Sequence, residues 1–131
     1  MYYRKRDFDI KETLLGEPGA KAQIRGNSIY PEIKGEVKFY HTACGVLVVA
    51  DILNLPVIGE KCGNRIFAFH IHSGESCSGN GDDEYADAGS HYNPDGCPHP
   101  YHAGDMPPLF TSGSRAFLQI GLPLMRLSVK L

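Results

Sequence analysis

The sequence lacks several things, and each absence removes a class of function. No segment holds a helical period for three turns, so neither a helical bundle nor an α/β chain is expected. The longest apolar run, Val46 to Ala50, falls far short of the roughly 20 residues that span a bilayer, and no membrane partner is expected. Charge of one sign is also missing. With 13 basic and 15 acidic residues the net charge is -2, which provides no footprint for nucleic acid or an acidic membrane surface. The start, MYYRKRDFDIKETLLG, carries early positive charge but not the apolar run of a secretory signal, and Met1 stands in place. A cytoplasmic location is therefore expected. The four cysteines, Cys44, Cys62, Cys77 and Cys97, show no Cys-x-x-Cys spacing, which removes a zinc knuckle or a redox pair. Two bridges or none both fit them, and free thiols are the expectation in an unexported chain. Internal repeats and low-complexity tracts are absent as well.

What is present points to strands. At 131 residues the length fits one domain with a real core. Residues 1–19 read as a polar N-terminal extension, and 20–131 as a single β-domain. KAQIRG and IKGEVKFY alternate apolar and polar residues, GVLVVADI is rich in β-branched residues, and RIFAFHIH alternates again. Gly26-Asn27, Pro31, Asn54 and Pro56 punctuate these runs. Short strands at this spacing predict an all-β sandwich or barrel.

The long irregular stretch from Ser73 to Leu109 demands a reason, because loops of that length are usually functional or tied down. Five of the six histidines fall between His70 and His102. The run GSHYNPDGCPHPYHAGD places His91, His99, His102 and Asp105 within fifteen residues that glycine and proline keep out of any regular period. Three imidazoles and a carboxylate form a closed donor set of the kind that suits structural zinc. Upstream, strand alternation in IFAFHIHSG puts Phe67, Phe69 and Ile71 on one face and Ala68, His70 and His72 on the other. The two imidazoles thus leave the core side by side as a nitrogen pair for one ion. That pair must borrow a third donor, and His91, with two ring nitrogens, is the candidate to face both groups. Cys97 is close enough in sequence to His99 to be an accidental ligand, but four donors suffice without it. His41 reads as structural. Glu75, Asp82, Asp83, Glu84 and Asp87 read as a solvated loop face, unsuited to steering an anion and lacking the spacing of a calcium loop.

Taken in order, H-x-H on a strand, then GSHYNP, then PHPYHAGDMPPL, resembles the copper/zinc superoxide dismutases, with GEVKFYHTACGVLVVADILNLP similar to the early strands of that family. The resemblance covers roughly Ala22 to Leu109. It implies an immunoglobulin-like Greek-key β-barrel or sandwich with a long metal-binding loop. It further implies catalytic copper at His70, His72 and His91, and zinc at His91, His99, His102 and Asp105, with His91 bridging. Superoxide would be the substrate, dismutated to oxygen and hydrogen peroxide by copper redox cycling, and a homodimer is possible.

The pattern departs from the family toward the C-terminus. No histidine follows His102 and no cysteine follows Cys97, so a fourth copper histidine and a partner for Cys77 are missing. Arg115 and Arg126 do not lie in the motif of the guiding arginine. Residues 111–131 read as an aberrant tail, with LQIGLPLMRLSVKL apolar but without a strand alternation suited to the fold, and the last strands of the barrel missing or altered. Codons allowed for that tail, read in a shifted frame, spell TDRFTPDEVIGKT, which resembles the family's segment before the copper histidine. A shifted reading frame is the expectation. The alternatives to an enzyme are a non-catalytic copper/zinc-binding module and a zinc-stabilised domain.

Overall fold

The alternating runs become strands that share one curved layer. A computed structural model describes residues 9–59 and 62–123. Its strands are β1 (Ala20–Arg25), β2 (Lys34–Thr42), β3 (Gly45–Leu53), β4 (Ile66–Phe67), β5 (Leu109–Ser112) and β6 (Arg115–Pro123). They form one antiparallel sheet in the order β1-β2-β3-β6-β5-β4. The chain leaves β3 for the far edge and returns through β5 to lay β6 beside β3, which is a Greek-key connection. The fold is all-β, as expected from the short alternating runs. Helix is confined to α1 (Ile10–Leu15) and a single 3-10 turn at Ala86–Ala88 among the described residues.

Side-chain period places the core. On β3 and its neighbours, Val37, Val48, Ala50, Ile52 and Ala116 turn to one face and join Leu55, Met106 and Leu109 in a buried cluster. Val48, Ala50 and Ala116 have no exposed surface at all. Phe67, Phe69 and Ile71 pack against this cluster, on the face the alternation predicts. The strand expected over RIFAFHIH is shorter than its pattern, however. Only Ile66–Phe67 pairs as a strand, and the histidines beyond it sit at isolated bridges, His70 with Asp105 and His72 with His91. The partners of those bridges are loop residues, which have no regular ladder to extend.

The tail needs a correction. Leu118 to Pro123 does alternate, because Ala116, Leu118, Ile120 and Leu122 turn inward while Phe117, Gln119 and Gly121 are exposed. The segment pairs with β3 from Ala116↔Ile52 to Pro123↔Gly45 and is a central strand of the sheet. Its pattern starts before Leu118, in RAFLQIGL, and a window that begins at Leu118 hides it. Gly113, with φ +63°, makes the two-residue turn from β5 into β6, a position that favours glycine. Residues 124–131, with Arg126, lie outside the described residues.

Part of the segment read as an N-terminal extension lies against β2. Asp9 caps α1 by accepting from the backbone N–H groups of Lys11 (2.8 Å) and Glu12 (3.3 Å). Gly19 then donates to the Phe39 carbonyl at 2.8 Å and passes directly beside the His41 ring. His41 is exposed and lines a cleft with Asp9, Glu12 and Glu17, away from the other histidines.

The long loop carries its own ties. Ser73 N–H donates to Ser90 O, Gly74 N–H to Ala88 O, and Asp87 N–H to Ser78 O. Members of the acidic patch are acceptors here rather than merely solvated. Glu84 accepts from Ser28 N–H at 3.1 Å, Asp87 from the Ser78 hydroxyl at 2.6 Å, and Asp83 from Tyr85 N–H at 2.9 Å. Hydrogen bonding to Ser28 holds the Glu84 carboxyl below its ordinary range.

Because Val48 is fully enclosed at the centre of β3, Val48→Ala is expected to remove about 2 kcal/mol of stability, through lost transfer energy and an unfilled void. A urea melt measures it, and an unchanged midpoint would show that this face is not the core.

Candidate metal centre

Three distant segments meet at one backbone knot. Ile71 N–H donates to Gly104 O, Gly104 N–H to Tyr92 O, and Tyr92 N–H to Ile71 O, each at 2.8 Å. The donor residues flank these three positions: His70 and His72 around Ile71, His91 before Tyr92, and His102 and Asp105 around Gly104. Gly104 is required by this approach, since a Cβ there would collide with the Ile71 carbonyl and come within 3.0 Å of Tyr92 N and Cβ. Backbone hydrogen bonding, not the side chains, sets the distance between the segments.

The side chains then converge on Asp105, whose carboxylate is only 7% exposed. His91 Nδ1 lies 2.8 Å from Oδ1, while His99 Nδ1 (3.1 Å) and His102 Nδ1 (3.2 Å) face Oδ2. The His91 and His102 Nδ1 atoms are 3.3 Å apart. One donor atom from each of the four residues lies within 4.8 Å of the others, close enough for the set to converge on one ion. Three nitrogens and one carboxylate oxygen also match zinc in softness. Burial pushes the Asp105 carboxyl up, but the His102 backbone N–H, the His91 hydrogen bond and the charges of His102 and His99 together hold it below its ordinary value. It stays an anion where the imidazoles gather.

His70, His72 and His91 make a second group whose donor atoms lie within 4.8 Å of one another. The His91 ring packs 3.9 Å from the His70 ring and 5.1 Å from the His72 ring, centroid to centroid. His72 Nδ1 is 2.9 Å from the Gly89 carbonyl, which can only accept, so Nδ1 carries the proton and Nε2 keeps a free lone pair. Burial, with the nearby His91 next in weight, holds His70 below the usual imidazole range. It therefore presents a neutral, ligating ring. With its Nδ1 turned to Asp105, His91 has Nε2 left for this group.

All six residues singled out in the sequence are thus brought together, and His91 belongs to both groups. Cys97 is not among their donors. Its backbone is clamped instead, by Asn93, whose amide donates to Cys97 O at 2.8 Å and accepts from Cys97 N–H at 2.9 Å. Arg115 is engaged by Asp51, at 2.8 and 2.6 Å. Sequence reasoning passed over Asn93, the Gly89 carbonyl and Gly104. The signals for them were the Asn-Pro dipeptide and the glycines flanking His91 and Asp105. All four cysteines are free thiols.

Comparison with known proteins agrees with this geometry. The family model for copper/zinc superoxide dismutase (SODC) matches residues 33–130. This chain belongs to the copper/zinc superoxide dismutase family. It is 32% identical over 105 residues to a protein of Legionella pneumophila named superoxide dismutase [Cu-Zn], an alignment that covers 75% of this chain and 58% of that protein. The chain therefore spans somewhat more than half the length of that curated relative. The family match extends over β6 and the end of β5, which fall within the residues 111–131 expected to be an aberrant tail. No helix among the described residues is long and apolar enough to cross a membrane.

Two outcomes follow from this dismutase-family site. Gly104→Ala separates Ile71 from Tyr92, and zinc uptake, followed with a chromogenic chelator, is expected to weaken at least roughly tenfold, as for other residues that orient ligands. Wild-type uptake would show that the knot does not set the site. In metal-free protein, the lowered Asp105 value contributes stability above its unfolded value of 3.8 that is lost as pH falls through the folded value. Asp105→Asn should flatten that acid limb in a melting series from pH 6 down to about 2, and an identical slope in both proteins would contradict the assignment.

Proposed function

We propose that the chain holds copper at His70, His72 and His91 and zinc at His91, His99, His102 and Asp105, and that it dismutates superoxide: two superoxide anions and two protons yield oxygen and hydrogen peroxide. The observation that carries this reading is the sharing of His91 between a three-imidazole group and a group of three imidazoles and a carboxylate. Family membership supports the same chemistry.

When bound, copper supplies the one-electron couple that the reaction needs, and zinc supplies charge and rigidity without redox chemistry. The residues do the rest. Gly89 O fixes the His72 tautomer so that Nε2 points its lone pair outward. Burial keeps His70 neutral. His91 is anchored through Nδ1 beside Asp105, and its Nε2 can hold one proton and hand it to the reduced product. Asp105 stands within 3.2 Å of a ring nitrogen of each of three imidazoles and so ties them to one point. His72 is exposed, which leaves the three-donor side open to a small anion.

A second reading has its own observation. Among the described residues the open group has only three donors, which also suits a protein that holds copper without turnover.

With copper and zinc added, superoxide decay should be faster than with copper and a chain carrying His70→Ala by at least about tenfold. Equal decay sinks the enzyme reading, and transfer of copper to a chelator without decay favours the second. His99→Ala should leave a core that melts normally without metal but loses most of the zinc-dependent rise in melting temperature, read by calorimetry with and without zinc. A full zinc-dependent rise in that variant would remove His99 from the site.

A further inference from the structure

The backbone knot accounts for the placement of every candidate donor except His99. That residue lies seven positions beyond Tyr92 and five before Gly104, too far along the chain for the knot to fix it. Packing does not hold it either. Its side chain is 59% exposed, against 26% for His91 and 18% for His102. Among the described residues its own backbone makes no hydrogen bond. Yet His99 Nδ1 stands 3.1 Å from Asp105, inside the donor group. Another contact must fix the loop that carries it.

The loop is gripped on both sides of His99. On the C-terminal side Tyr101 N–H donates to Pro98 O at 2.8 Å, and His102 N–H donates to Asp105 Oδ2 at 3.2 Å. On the N-terminal side the grip is one side chain. The Asn93 amide donates to Cys97 O at 2.8 Å, and its Oδ1 accepts from Cys97 N–H at 2.9 Å. Among the described residues the one further tie across this turn is a long bond, from Gly96 N–H to Asn93 O at 3.4 Å. Pro94, Asp95 and Gly96 between them are exposed, so the turn has no packing of its own to hold its path. Asn93 is bonded directly to Tyr92 of the knot, and Cys97 is joined to His99 through Pro98, whose ring restricts φ. A stiff route thus runs from the knot, through the Asn93 side chain and the Cys97 backbone, to His99.

We infer that Asn93 is the positioning residue for His99: its carboxamide carries the spacing set by the knot to the donor that the knot does not reach. The inference rests on the proposed assignment of zinc to His91, His99, His102 and Asp105. A carboxamide suits the task because it offers a donor and an acceptor in one plane, matched to the two backbone groups of a single residue. A carboxylate would turn an acceptor toward the Cys97 carbonyl, and a hydroxyl would be too short to span both groups. The grip uses the backbone of Cys97 alone, so its thiol is not required, in keeping with its place outside the donor groups. Groups that orient metal ligands contribute to affinity without touching the ion.

The test is a cobalt(II) titration of the metal-free full chain, read by the visible absorption of the bound ion, with displacement by zinc giving the zinc affinity. Asn93→Ala is expected to weaken binding at least about tenfold and to shift the cobalt spectrum toward that of His99→Ala. In a chain that already carries His99→Ala, adding Asn93→Ala should cost little more, because the donor it positions is gone. Cys97→Ala keeps the gripped backbone and should bind as the wild type does. If circular dichroism shows that Asn93→Ala misfolds, Asn93→Ser decides in its place. Wild-type affinity in the Asn93 variant overturns the inference. So does an equal loss in the His99→Ala background, which would make Asn93 a support for the whole loop, and so does a loss on Cys97→Ala, which would put the thiol among the ligands. A wild-type chain that takes up neither ion overturns the zinc assignment and the inference together, whereas the other outcomes leave that assignment standing.

Discussion

Three backbone hydrogen bonds among Ile71, Tyr92 and Gly104 are the constraint on which the rest of the molecule depends. They join segments that the sheet alone would leave apart: the end of the strand run after β4, the loop after the 3-10 turn, and the approach to β5. Main-chain bonds of this kind are short and directional, and they set spacing more firmly than side-chain contacts do. His70, His72, His91 and Asp105 each lie one residue from one of the three positions, and His102 lies two from Gly104. The site is thus positioned by backbone and completed by side chains.

Electrostatics explains why such crowding is stable. Burial first, and the neighbouring imidazoles after it, oppose protonation of His70 and hold it below the usual imidazole range. A single carboxylate, nearly enclosed, offsets that cost: it is hydrogen-bonded to the His91 ring, accepts from the His102 backbone N–H and lies within 3.2 Å of the His99 and His102 rings. The donors already lie within 4.8 Å of one another, so an ion that takes four of them would find them gathered. Preorganisation of this kind is what a metal centre needs from its surroundings. The loop is held from both ends of the energy scale, by Glu84, Asp87 and Ser73 in ordinary hydrogen bonds and by the donor cluster itself.

The sheet divides labour between its faces. Inward, Val48, Ala50 and Ala116 close a core that also supports Phe67, Phe69 and Ile71, and so holds the histidine-bearing segment from beneath. Outward, the row from Gln23 to Ile66 changes from polar to apolar between β3 and β6, at the Asp51–Arg115 pair. The candidate metal donors lie at the loop-bearing end and share no residue with this outer row.

The sequence by itself determined the strand class, the inward alternation of Phe67, Phe69 and Ile71, and the six residues of the candidate site, because ligand chemistry and side-chain period are local properties. It also carried the alternation of β6, which becomes legible once Ala116 is counted with Leu118, Ile120 and Leu122. Tertiary structure decided what no local pattern encodes. It decided that β6 lies beside β3, that Gly104 passes against the Ile71 carbonyl, that Asn93 clamps Cys97, and that His41 stands apart from the other five histidines. Each of those depends on the meeting of residues far apart in the chain, where hydrogen-bond geometry and excluded volume, rather than residue type, choose among the arrangements that the same composition allows.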